Sequence, residues 1–276
     1  MDFLAIPLQI LERLDLGWTF VLFLARYTAL LMLLPGIGMG AAGLVVRMPC
    51  IIVLSFVSCA SAPSAALPAD GGVAIAQIVS ELLWGSILGL IPALIVASVQ
   101  TGMQLASTTM GLSASNLIDP HSGVSVSDLS RIYAEVVIAM FLLIDGHHVI
   151  LYAASGVDAA TAPGSFVLTE LTMKVLIERS AEVLSLGMTI SAPIVVALLL
   201  TQFVMGLISR AVSTVNIFII SYPLTIGIGF VIAILAFPDT MRVVLREFKE
   251  IEDVVMAIDA QADSDEGVNA NVVSQQ

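Results

Sequence analysis

Six apolar runs, each close to the thickness of a bilayer's hydrocarbon core when helical, restrict what this chain can fold into. They cover residues 17–34, 45–60, 73–99, 132–154, 183–208 and 212–237. A helix needs about 20 mainly apolar residues to cross the hydrocarbon. The fold expected is therefore an all-α membrane protein with about six long apolar helices or helical hairpins. Composition agrees: 58% of residues are hydrophobic and 12% charged, with a mean hydropathy of +1.03. No soluble core could absorb that much apolar surface.

Proline and glycine punctuate the runs, in PGIGMGAAG at 35–43, APSAALPADGG at 62–72, IDPHSGVSVSD at 118–128 and TAPGSF at 161–166. Several runs also carry helix disruptors inside them: Gly85, Gly89 and Pro92 in the third, Pro193 and Gly206 in the fifth, Pro223, Gly227 and Gly229 in the sixth. Broken helices of this kind are tolerated where protein rather than lipid surrounds them. Residues 3–16 space their apolar side chains as an interfacial or docking helix would, or form a frayed terminus. The first run follows Asp2, Glu12 and Asp15 rather than a basic stretch, and is expected to be retained rather than cleaved.

The formal net charge of −12 is concentrated after Phe237, where Asp239, Glu247, Glu250, Glu252, Asp253, Asp259, Asp263, Asp265 and Glu266 crowd together. The expected organisation is a membrane domain over 1–238 and an acidic, cytosolic tail over 239–276. The tail begins with helical spacing and becomes disordered in composition from residue 261. With six spans both ends share a side, and Arg13, Lys174, Arg179, Arg242, Arg246 and Lys249 outnumber Arg47, Arg131 and Arg210 on the other. That bias favours cytoplasmic ends. No basic cluster marks a nucleic-acid surface, so that class is excluded. Cys50 and Cys59, nine apart in one apolar run, fit packing residues rather than a zinc site or disulfide scaffold.

Ionisable residues within apolar runs are costly and suggest function. Arg26 lies mid-run in FVLFLARYTALLMLL, where an unpartnered arginine costs about 2.5 kcal/mol or more. It is expected to make a structural ion pair or a subunit contact. Glu81 and Asp145 sit near run ends, where interfacial solvation explains them as well as any role does. Arg210 lies between the last two runs. His147 and His148 follow Asp145 and Gly146. Adjacent helical residues point in different directions, so a capping and interfacial role is expected for DGHH, and no metal site or other cofactor. No G-x-S-x-G elbow, H-E-x-x-H or P-loop occurs, so no enzyme is indicated. A small-solute transporter would want an inverted repeat and a clustered midplane site, and neither is visible. The stretch QTGMQLASTTMGLSASNLIDP at 100–120 passes from apolar helix to small, hydroxylated residues. It suits close packing or the lining of a constriction, or an ordinary extramembrane turn.

Taken in order, the Arg26 run with Pro35 and its glycine-rich turn, Glu81 with Gly85 and Gly89, MGLSASNLIDP at 110–120, DGHH at 145–148 and NIFIISYPLTIGIG at 216–229 resemble the FliR family of flagellar and type III secretion export proteins. The likeness spans nearly the whole chain. It implies a subunit of the export gate at the basal body in the bacterial inner membrane. Its partners would be FliP-like, FliQ-like and FlhB-like subunits, with unfolded flagellar proteins as cargo. A virulence-type injectisome is the alternative machine. The resemblance also implies helical hairpins lifted partly out of the lipid plane. It maps a pore closure onto Gly111, Leu112, Ser113, Ala114, Ser115, Asn116, Leu117, Ile118 and Asp119. Flagellar members often carry phenylalanine where Ala114 and Leu117 stand, and a Pro-Gln where Thr214 and Val215 precede Asn216. Arg26, Glu81, Asp145, His147, Asn216 and Pro223 are its implied structural or assembly residues.

Overall fold

The computed structural model describes residues 5–36, 41–112, 127–157, 161–211 and 217–273. Among these, all regular structure is helical: α1 (Ala5–Leu33), α2 (Ala41–Ser61), α3 (Gly71–Met110), α4 (Asp128–Leu143), α5 (Gly146–Ser155), α6 (Glu170–Ala211) and α7 (Ile217–Val273). Five helices are long and apolar enough to cross a membrane, and six if α4 and α5, bent by 62° at their junction, make one broken span.

Local chemistry sets several helix ends. Asp70 caps α3 by accepting the Val73 N–H at 2.8 Å. Thr169 does the same for α6 through the Thr172 N–H, with Glu170 in the first turn. Ser127 opens α4 by accepting from the Ser130 N–H. At the far end of α3, Gly111 (φ +89°) completes a Schellman closure, in which its N–H bonds Thr108 O and the Leu112 N–H bonds Ser107 O. Gly156 (φ +68°) ends α5 in the same left-handed region.

The helices run well past the apolar stretches. α3 has 40 residues, α6 has 42 and α7 has 57. At 1.5 Å per residue α3 alone extends about 60 Å, roughly twice the hydrocarbon thickness. Gln100, Thr101 and Gln104 end the apolar run but not the helix, and Glu170–Glu182 is charged yet helical. Pro92, Pro193, Pro223 and Pro238 all lie inside helices. Residues 5–16 continue directly into the first apolar run as part of α1. The acidic stretch after Phe237 continues α7 to Val273 without a break.

The chain divides into two compact units. The first comprises residues 1–93, 141–177 and 248–276. Here α1 packs on α2. Leu22, Phe23, Leu30, Leu88, Phe141 and Ile150 are buried, Trp84 stacks on Phe166 with ring centroids 4.9 Å apart, and Phe141 meets Phe248 at 5.1 Å. The second comprises residues 94–140 and 178–247. Its core holds Val99, Met103, Met110, Val137, Leu198 and Val244, and the Tyr133 hydroxyl donates to Ala233 O at 2.8 Å.

Candidate functional site

Two arrangements of polar and small residues stand out, one in each unit. In the first, Arg26 and Glu81 are both fully buried and form a bidentate pair, Nε to Oε2 at 2.5 Å and Nη2 to Oε1 at 3.1 Å. The pair reaches beyond its two helices. Arg26 Nη1 donates to Ala154 O at 3.1 Å, at the end of α5, and Glu81 Oε1 accepts the Gly164 N–H at 2.6 Å, from the 161–169 connection. The guanidinium also lies 5.1 Å from the Phe23 ring centroid. Four separate stretches of chain are thus held by one pair of charges. Desolvating both ions is costly, and only this full set of partners offsets it.

Glycine makes the pairing possible. A Cβ on Gly85 would collide with the backbone carbonyl of Arg26, and one on Gly89 would come 2.8 Å from Leu30 O. One turn apart on α3, the two glycines let α1 approach to backbone contact. Nearby, the Tyr27 hydroxyl and Ser58 Oγ share a hydrogen bond of 2.7 Å that ties α1 to α2.

In the second unit the polar groups gather around the stems of the segment that follows α3. On the entry side, Thr225 Oγ1 lies 3.2 Å from Met110 O and shares its proton among that carbonyl and those of Ser221 and Tyr222 in its own helix, at 3.0 and 3.1 Å, and Gln202 Nε2 donates to Thr109 O at 3.0 Å. A Cβ on Gly111 would come 2.8 Å from the Tyr222 ring, which is why this turn must be glycine on steric as well as backbone grounds. On the exit side, Gln104 Oε1 accepts both the Ser127 N–H at 2.9 Å and the Ser130 hydroxyl at 3.1 Å. A second glycine crossing supports this unit: a Cβ on Gly102 would strike the Gly187 carbonyl, and one on Gly187 would come 2.5 Å from Ser98 O.

Of the residues singled out in the sequence, Arg26 and Glu81 are brought together, and Glu81 lies ten residues into α3 in a fully buried position rather than at a helix end. Asp145 occupies the left-handed N-cap position of α5 (φ 59°) and makes no side-chain cap there. Instead Asp145 Oδ1 lies 3.2 Å from His148 Nδ1. Gly146 faces the Phe141 ring at a distance that excludes a side chain. His147 is half-buried in the first turn of α5. Pro223 is internal to α7, next to Tyr222. Gly111 and Leu112 form the Schellman turn, whereas Ser113, Ala114, Ser115, Asn116, Leu117, Ile118, Asp119 and Asn216 lie outside the described residues.

Sequence reasoning passed over Gln104, Gln202, Tyr222 and Thr225, and the carbonyls of Met110 and Ala154. Two of these left a signal: Gln104 and Gln202 are carboxamides with mainly apolar or small neighbours in their helices.

The sequence profile of the bacterial export proteins, family 1, matches residues 18–251. The chain is similar to the flagellar biosynthetic protein FliR of Escherichia coli (strain K12), 25% identical over 224 residues that cover 80% of this chain and 86% of the relative. It is also similar to the FliR of Pectobacterium carotovorum subsp. carotovorum, 23% identical over 248 residues, covering 90% and 93%. The FliR of Caulobacter vibrioides (strain ATCC 19089 / CIP 103742 / CB 15) is 22% identical over 240 residues, covering 84% and 94%.

Proposed function

Because the chain belongs to the bacterial export proteins, family 1, we propose that it is a subunit of the flagellar type III protein-export gate in the bacterial inner membrane, where it helps form and close the pore for unfolded flagellar proteins. The observation that carries this reading is the profile match over residues 18–251, which takes in every described helix in whole or in part. The fold supports it. α3, α6 and α7 are too long to be simple spans, and α6 leaves Met188, Val196, Leu199, Leu200, Phe203 and Leu207 exposed along its length. Such a surface needs lipid or other apolar helices against it. FliP-like, FliQ-like and FlhB-like subunits are the partners we assign to it at the basal body. The role is one of architecture and passage, with no catalysis by this chain. The flagellum is favoured over an injectisome because the relatives named above are all flagellar proteins.

Deletion of the gene tests the reading. Hook and filament proteins should vanish from the medium while their cytoplasmic pools persist, and the intact gene in trans should restore secretion. Normal secretion in the deletion strain would overturn it.

We assign the closure of the resting pore to residues 111–119, on the resemblance and on local chemistry. Small residues such as Ser113, Ala114 and Ser115 permit close backbone approach, and Leu112, Leu117 and Ile118 supply apolar contact. A hydrophobic constriction blocks ions by dewetting, without aromatic rings. The anchoring of Met110, Gly111 and Ser127 supports the assignment, since a closure has to be held at its stems. Deleting residues 112–118 should leave an assembled gate that leaks ions in the absence of cargo. A complex that assembles and leaks no more than wild type would remove the assignment.

A further inference from the structure

We propose that Asp145, His147 and His148 form a three-ligand site for a divalent transition ion of the zinc type, at the elbow between α4 and α5. One ligand atom from each residue lies within 4.8 Å of the other two. Asp145 Oδ1 and His148 Nδ1 are already 3.2 Å apart. With metal–ligand bonds of about 2.0–2.1 Å, adjacent corners of a tetrahedral site are separated by about 3.3 Å, so this edge needs almost no adjustment.

Two further observations point to a ligand. Among the described residues, His147 Nδ1 is shielded from solvent and has no hydrogen-bond partner, a state that a buried polar atom rarely tolerates and that a bound ion relieves. The imidazoles of His147 and His148 are also in contact, with ring centroids 4.1 Å apart and planes tilted by 35°, so the two side chains lie on the same side of the elbow.

The local backbone explains how the aspartate reaches the histidines. They sit in the first turn of α5, immediately after the 62° bend. Asp145 enters that turn in the left-handed region, which leaves its carboxylate uncommitted to the helix N-terminus and places it against His148. Gly146 allows the turn to close over Phe141. Asp145 holds the N-cap position expected of DGHH, but its carboxylate makes no side-chain cap.

Two imidazoles and one carboxylate select a borderline transition ion over calcium or magnesium, which prefer all-oxygen sets. Three protein ligands leave the fourth position to water. The ion would brace the elbow between the two halves of the broken span.

The test uses full-length protein in detergent, purified without an oligohistidine tag and titrated with Co(II) as a spectroscopic stand-in for zinc. One equivalent should bind with visible d–d absorption that Zn(II) abolishes. His148→Ala and Asp145→Asn should each weaken binding by roughly tenfold or more, by analogy with the losses seen when metal-site partners are removed. His121→Ala should leave it unchanged. Zinc should also raise the thermal unfolding midpoint of the wild type and not of the variants. Absence of stoichiometric Co(II) binding by the wild type would overturn the proposal whatever the variants do. So would unchanged affinity in Asp145→Asn and His148→Ala, or loss of binding in His121→Ala.

Discussion

Arg26→Leu is expected to lower the level of the protein in the membrane by roughly tenfold or more, and to prevent its recovery with the other gate subunits. The substitution leaves Glu81 as an uncompensated charge with no exposed surface, and removing one partner of a buried pair costs about 3–5 kcal/mol. Every 1.4 kcal/mol is a factor of ten in an equilibrium, so the folded fraction of a marginally stable chain cannot absorb that loss. Arg131→Leu is the internal control. Its pair with Glu135 has side chains that are 72% and 63% exposed, and such pairs contribute about 0–1 kcal/mol. The double variant Arg26→Leu/Glu81→Leu should recover part of the loss, because no lone charge is left, but not all of it. The Gly164 N–H and Ala154 carbonyl still lose their partners. Immunoblots of membrane fractions and co-purification check the series. Equal levels for Arg26→Leu and Arg131→Leu would show that the pair carries no structural weight.

Gly85→Ala should be nearly as damaging, although it adds only one methyl group. The new Cβ would collide with the backbone carbonyl of Arg26, and backbone cannot swing aside as a side chain can. α1 and α3 would have to separate, stretching the ion pair beside the contact, and overpacking of this kind costs about 1–3 kcal/mol. Gly206→Ala provides the contrast. A Cβ there meets nothing within 4 Å, and alanine is favoured over glycine in a helix interior by up to about 1 kcal/mol. Thermal unfolding in detergent should show Gly85→Ala falling and Gly206→Ala level or slightly raised. The same fall in both would mean that glycine matters for flexibility and not for the approach of the two helices.

Much of the fold was legible in the sequence because apolar run length reports directly on the bilayer. The true helix lengths were not. The stretch from Gln100 reads as continuing an apolar helix, but where that helix stops and what its polar residues meet are not legible: α3 runs to Met110, and Gln104 answers a demand for polarity created by Ser127 and Ser130, over 20 residues later in the chain. Arg26 announced a need for a partner but not which one. Glu81 stands at the start of its most apolar stretch, where interfacial solvation explains it as well as any role does, because the ten helical residues before it include small and polar side chains. Asp145 stood out as a cap for DGHH, but its left-handed backbone, which leaves the helix N-terminus without a side-chain cap, is not visible in the sequence. In each case the missing information was a long-range partner or a local departure from regular backbone, which single-sequence periodicity does not contain.

The most direct test of an export-gate subunit is whether unfolded cargo touches it during passage. A photo-crosslinking amino acid at Leu112, at the end of the Schellman turn, would be combined in cells with a flagellar export substrate fused to a domain too stable to unfold, so that the chain stalls in transit. A crosslink is expected between position 112 and the stalled substrate, absent when the substrate lacks its export signal, and no such crosslink from position 203 on the exposed apolar face of α6. A gate that is plainly occupied by stalled cargo, with crosslinks from position 203 and none from position 112, would contradict it.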